Sequence, residues 1–136
     1  MCLDETKKTY IKYRLATAEE NLESAKILYD NNQLKAAANR AYYCVFHSMR
    51  AVLAVEGVDF KHHSGVIAYF RKEYIKTGIF PKNLSTIIQT TSMVRESSDY
   101  DDFYLISRDD AKKQIDDAEV FYKEIEKYIY KYLDEE

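Results

Sequence analysis

An all-α, up-and-down four-helix bundle with a short extra helix is the fold class this sequence predicts, and three observations lead there. Apolar residues recur at intervals of three and four along most of the chain, the period of a helix with one buried face. The 136 residues include only three glycines and one proline, Pro81, too few for the many turns of an all-β fold. One segment, residues 39–57 (NRAYYCVFHSMRAVLAVEG), has almost no polar face, as expected of a helix enclosed by others. A chain of this length can bury one real core, so residues 1–136 read as a single helical domain.

The elements follow in order. The first helix is expected from about Thr9 to Asn31, where Ile11, Leu15, Ala18, Leu22, Ala25 and Leu28 form one apolar stripe. The run Asn31, Asn32, Gln33 breaks it. The second helix spans about Leu34 to Glu56, and Gly57 stands where a left-handed C-terminal residue belongs. On this helix Val45, Met49, Val52 and Leu53 fall on one side and Ala36, Cys44, Ala51 and Ala54 on the other. It is therefore placed at the centre, packed by the first, fourth and fifth helices. A short third helix opens at Ser64 as N-cap and ends near Gly78, before the loop Ile79–Asn83. The fourth runs from about Leu84 to Ser97 with Leu84, Ile87, Ile88, Thr91 and Val94 inward. Ser107 and Asp110 resemble a capping box that starts the fifth. There Ala111, Ile115, Ala118, Tyr122, Ile125, Ile129 and Tyr132 alternate by fours and threes without a break.

Bulk properties narrow the function classes. A formal charge of −3 excludes a broadly cationic nucleic-acid binder and leaves room for a local basic patch. The two cysteines, Cys2 and Cys44, form neither a disulfide framework nor a metal-ligand spacing, and Cys44 reads as a small core residue. The N-terminal segment lacks the apolar stretch of a signal peptide, and no apolar run reaches the roughly 20 residues that span a bilayer. A soluble protein of the reducing cytoplasm, with no membrane partner, is the expectation.

Chemistry concentrates in three places. Arg40 and His47 lie seven residues apart on the second helix and project from its alanine-rich side, with Tyr43 beside them. A buried guanidinium needs a carboxylate or several acceptors, so the pair is either a structural polar cluster or a cleft. In a cleft, His47 would serve as acid or base and Arg40 would hold a phosphate. The second place is the end of the fourth helix, where Arg95, Glu96, Ser97, Ser98, Asp99 and Tyr100 form a dense polar block. Either Asp99 or Glu96 is a candidate counter-ion for Arg40. The third is Lys61, His62, His63, Ser64, Gly65, where histidines precede a helix start that could hold an anion through its amides. No second ligand pair such as H-E-x-x-H accompanies these histidines, so neither a metal site nor a cofactor is expected. The thirteen tyrosines allow base stacking, although many lie on core stripes.

Four blocks carry a resemblance: AANRAYYCVFHSMRAVL, KHHSGV, VRESSDYDD and SRDDAKKQIDDAEVFYKEI. In order and spacing, from about Thr9 to Tyr132, the chain resembles the HEPN superfamily, and within it the small stand-alone prokaryotic and archaeal branch. The resemblance implies a helical bundle that forms a homodimer across its long helices, and a minimal nucleotidyltransferase as partner in a toxin–antitoxin pair. It also implies metal-independent ribonuclease chemistry by an arginine and a histidine, often written R-N-x-x-x-H late in the bundle. Here Arg95 stands at the arginine, but Glu96 replaces the asparagine and Tyr100 the histidine. A phenol with an ordinary pKa of about 10 is a poor base at neutral pH.

Three readings follow. One is a binding module for a nucleotide, RNA or a nucleotidyltransferase, with a degenerate catalytic motif. Another is an active ribonuclease using Arg95 and Arg40 on phosphate, with His47 as acid and base. The last is a dimeric helical adaptor with no nucleic-acid role.

Overall fold

The computed structural model describes residues 4–134, and its elements are all helical. They are α1 (Glu5–Asp30), α2 (Leu34–Val55), α3 (His63–Phe70), α4 (Asn83–Tyr100) and α5 (Arg108–Asp134). The bundle is the all-α architecture anticipated from the periodicity. Helix α2 sits at its centre and packs against each of the other four. The core takes Ile11, Leu15 and Leu22 from α1, Leu84 and Ile88 from α4, and Ile115, Phe121, Ile125 and Ile129 from α5. Val45, Met49, Val52 and Leu53 of α2 are fully enclosed among them.

Helix ends are set by local chemistry. Helix α1 begins four residues before Thr9, because Asp4 Oδ1 accepts the Lys7 amide at 2.7 Å and caps a polar first turn. Gly57 has φ 72°, the left-handed conformation expected after α2. Ser107 Oγ accepts the Asp110 amide at 3.0 Å and starts α5. Helix α4 runs on to Tyr100, past the expected stop at Ser97. Helix α3 starts at His63 rather than after a Ser64 cap: His62 holds the N-cap position without a side-chain bond, and Ser64 is an exposed helical residue. It then widens into a π-helical turn, Arg71–Ile75, in which the Lys76 amide reaches the Arg71 carbonyl at 2.8 Å. No feature of the hydrophobic pattern announces that turn.

Two sequence expectations need correction. Helix α2 is not closed on every side, since Arg40, Tyr43, His47 and Arg50 form a line that stays partly open. That line is also distinct from the alanine-rich one. Ala37, Ala41, Cys44, Ser48 and Ala51 lie one residue further round, fully buried, with Cys44 Sγ 3.9 Å from the Ala118 carbonyl of α5. The small residues thus serve the α2–α5 approach, not the polar pair. The Cys44 thiol is pushed up to about 12 by burial, which leaves it a core residue. Cys2 lies outside the described residues. Tyr132, at the end of the α5 stripe, is 36% exposed. No helix among the described residues is long and apolar enough to cross a membrane.

Candidate functional site

The open line of α2 is the floor of one polar face, and three other elements build its rim. Helix α1 contributes Arg14 and Asn21, seven residues apart and so on one side of that helix. The Arg40 guanidinium donates to Asn21 Oδ1 at 2.8 Å and to Asn39 Oδ1 at 2.7 Å, and lies 4.8 Å from the centre of the Tyr43 ring. Helix α4 brings Arg95 to the other side of the same ring system. Its Nη2 donates to Tyr43 Oη at 3.3 Å, and its guanidinium carbon lies 5.1 Å from the Tyr42 ring centre. Asp99, one turn on, is 3.3 Å from Arg95 Nε. That contact is an ion pair without hydrogen-bond alignment, because Nε is buried with no hydrogen-bond partner. Arg50 is paired with Asp59 at 2.8 Å, and Arg14 lies 4.0 Å from the same carboxylate.

The start of α3 completes the face. His63 stacks on Phe46 of α2 with ring centres 3.9 Å apart, and its Nδ1 is 3.0 Å from Tyr42 Oη. Burial pushes the Tyr42 phenol up to about 12, so its proton stays on and can be donated to that nitrogen. His47 stands between the aromatic cluster and the arginines, its ring centre 5.5 Å from that of Phe46. Burial lowers the His47 pKa to about 4, and the charges of Arg50, Arg14 and Arg40 add to the effect. His63 is lowered too, first by burial and then by Arg95 and Arg50. Both imidazoles are therefore neutral at pH 7, and His47 Nδ1 is buried without a hydrogen-bond partner among the described residues. Arg14 and Arg50 share the Asp59 carboxylate, Arg95 pairs with Asp99, and among the described residues Arg40 is held by asparagine oxygens alone. The face has positive charge to spare for an anion.

The residues singled out by sequence divide in two. Arg40, Tyr43, His47, His63, Arg95 and Asp99 are brought together. Arg40 takes two asparagine oxygens in place of a carboxylate, and Asp99 reaches it only through Asn39, whose Nδ2 is 3.5 Å from Asp99 Oδ1. Lys61, His62, Ser64 and Glu96 are exposed, and Tyr100 is 77% exposed at the last residue of α4. Sequence reasoning missed Arg14, Asn21, Arg50, Asp59 and Phe46. A signal for Arg50 existed, since it continues the spacing of Arg40, Tyr43 and His47 by three residues. Arg14 and Asn21 repeat at seven on α1, but nothing in the sequence says which helix that side meets. No group of three or more His, Cys, Asp or Glu side chains placed to share a metal ion occurs among the described residues.

Comparison with known proteins places this geometry in a family. The profile of the HEPN domain matches residues 11–128. A Thermotoga maritima protein named "UPF0332 protein" is 37% identical over 123 residues, 90% of this chain and 93% of that protein. The Methanocaldococcus jannaschii protein named "Putative toxin MJ0605" is 33% identical over 90% of this chain and 91% of its own length. A second from that organism, "Putative toxin MJ0142", is 31% identical over 82% and 76%. With a profile match across most of its length and relatives aligned nearly end to end, this chain belongs to the HEPN family.

Proposed function

We propose that the protein is a toxin-type HEPN module that binds single-stranded RNA on the arginine face of α2. The observation that carries this is the convergence of Arg40, Arg50 and Arg95 around the rings of Tyr43, Phe46 and His63, with Arg14 beside Arg50 at Asp59. Guanidinium groups hold phosphates through paired donors, and half-exposed Tyr43 and His63 offer ring surface to a base. The naming of two relatives as toxins supports the physiological side of this reading. In it the chain acts as a homodimer in the cytoplasm, and a minimal nucleotidyltransferase is its neutralising partner. The test is binding of a fluorescein-labelled single-stranded RNA. Arg40→Ala and Arg95→Ala are each expected to weaken it about ten-fold or more, the size of one charge-assisted contact. Binding unchanged in both variants would remove the face from the argument.

One observation favours a second reading, metal-independent ribonuclease action. His47 is neutral and lies among arginines that can hold a phosphate, so its imidazole can accept a proton from an RNA 2′-hydroxyl at pH 7. Purified protein would then cut a mixed RNA pool in the presence of EDTA, and His47→Ala and Arg95→Ala would not. If RNA binds and wild type leaves it intact, the binding role stands alone. Tyr100, exposed at the end of α4, lies apart from the arginine face, and neither reading assigns it a step.

A further inference from the structure

A second cavity, unconnected with the arginine face in its lining, opens where the end of α2, the π-helical turn and the last part of α5 meet. Its volume is about 330 Å³, within the range of small-molecule sites. Tyr74, Tyr128 and Tyr132 supply its walls. The Tyr74 and Tyr128 rings meet at 86° with centres 6.1 Å apart, and Tyr132 leans on Tyr128 at 5.0 Å. Val55 and Ile79 add aliphatic surface, while Glu56 and Glu73 are the charged groups among its described lining residues, both negative.

Each feature favours a cation. Glu56 accepts hydrogen bonds from Tyr69 and Tyr74, which fix the carboxylate without neutralising it. Among the described residues neither Glu56 nor Glu73 has an ion-pair partner. The cavity also receives the C-terminal end of α2, whose partial negative charge adds to that of the two carboxylates and whose own last turn contains no basic residue. The Tyr74 and Tyr69 phenols are both raised, first by burial and then by Glu56, as expected in a negative pocket. The π turn that carries Glu73 and Tyr74 is an uncommon conformation, found often at functional sites. Faces of tyrosine rings attract an ammonium group, and the effect grows with desolvation. A bare divalent ion fits less well, since magnesium and calcium need six or more oxygen ligands.

We propose that this cavity binds a small aliphatic amine of the diamine or polyamine class, with an ammonium group between the tyrosine faces and Glu56. The methylene chain lies against Val55 and Ile79, and a second ammonium group pairs with Glu73. This proposal does not depend on the RNA reading, because it uses none of the same side chains.

Calorimetric titration of the full chain with putrescine and spermidine at low salt tests it, with tyrosine fluorescence as a second readout since the chain has no tryptophan. The expected result is saturable one-to-one binding, weakened about ten-fold in Glu56→Gln and in Tyr132→Ala. Glu73→Gln, on a partly exposed side chain outside the Tyr69–Tyr74 hydrogen bonds, should weaken spermidine as well and guards against misfolding of the first variant. Absence of saturable binding by wild type overturns the proposal. So does unchanged affinity in folded Glu56→Gln and Glu73→Gln, or magnesium chloride giving the same response at equal ionic strength.

Discussion

His47 is a neutral imidazole held among arginines, and that state makes it measurable. Its ordinary pKa of 6.5 is lowered to about 4 by burial, then by Arg50, Arg14 and Arg40. The unfolded chain therefore takes up a proton at this residue over a range in which the folded chain does not. Folding stability falls as pH drops from 6.5 towards 4. His63, lowered for the same leading reason, acts in the same direction. Urea unfolding at stepped pH should show this loss, and His47→Gln should flatten part of it. A variant curve parallel to wild type would place the acid sensitivity elsewhere. A phosphate bound beside His47 would offset the arginine charges and raise its pKa, so RNA binding should tighten as pH falls from 7 towards 5. Proton NMR of the imidazole, with and without a short oligonucleotide, reads that shift directly. An unmoved midpoint would separate His47 from the bound phosphate.

At the scale of elements, the close approach of α2 and α5 depends on small residues. Cys44, Ala41 and Ser48 of α2 and Ala111 and Ala118 of α5 are fully buried or nearly so. Ala118→Leu adds methyl groups where Cys44 Sγ is already 3.9 Å from the Ala118 carbonyl, and should cost about 1–3 kcal/mol of stability. Ser107→Ala, which removes the α5 cap, should cost about 1 kcal/mol. Thermal unfolding distinguishes these from exposed controls such as Lys123→Ala. The cap was legible in the sequence, because capping is local, whereas the small residues of α2 were visible without the helix they meet. The stripe of α5 could be traced down to Ile129 in the same way. The π turn was not legible, since Arg71–Ile75 keeps buried Tyr74 and Ile75 at spacings an ordinary helix also allows. The site was legible only along a single helix. Arg40, Tyr43 and His47 share a line by simple rotation, whereas Arg14, Asn21 and His63 join them by packing between helices, which no spacing within one helix encodes. His63 in place of its neighbour His62 was equally hidden, because which of two adjacent histidines meets Phe46 depends on how the loop enters α3.

For the whole molecule, the formal charge of −3 and the arginine face pull in opposite directions. Long-range attraction between this protein and RNA should be weak or unfavourable, so affinity must come from short-range contacts at the face. Neutralising the phosphates held by Arg14, Arg40, Arg50 and Arg95 releases counterions. For single strands the logarithm of affinity should then fall with the logarithm of salt concentration at a slope of about −0.7 per phosphate, or about −3 for all of them. Each arginine removed should reduce the slope by about 0.7. Asp59→Asn should act in the opposite sense, because it frees Arg50 and Arg14 from their shared carboxylate and steepens the dependence. A slope near zero would mean that no phosphates are held, and the adaptor role would then account for the family fold better than RNA binding does. A slope that stays the same in Arg40→Ala and Arg95→Ala, with affinity intact, would place the phosphates on a different surface. The salt titration thus tests the site and the charge balance of the molecule together, since a net-negative chain binds a polyanion with a slope of this size through a local cluster of cations, and the arginine variants show whether this face is that cluster.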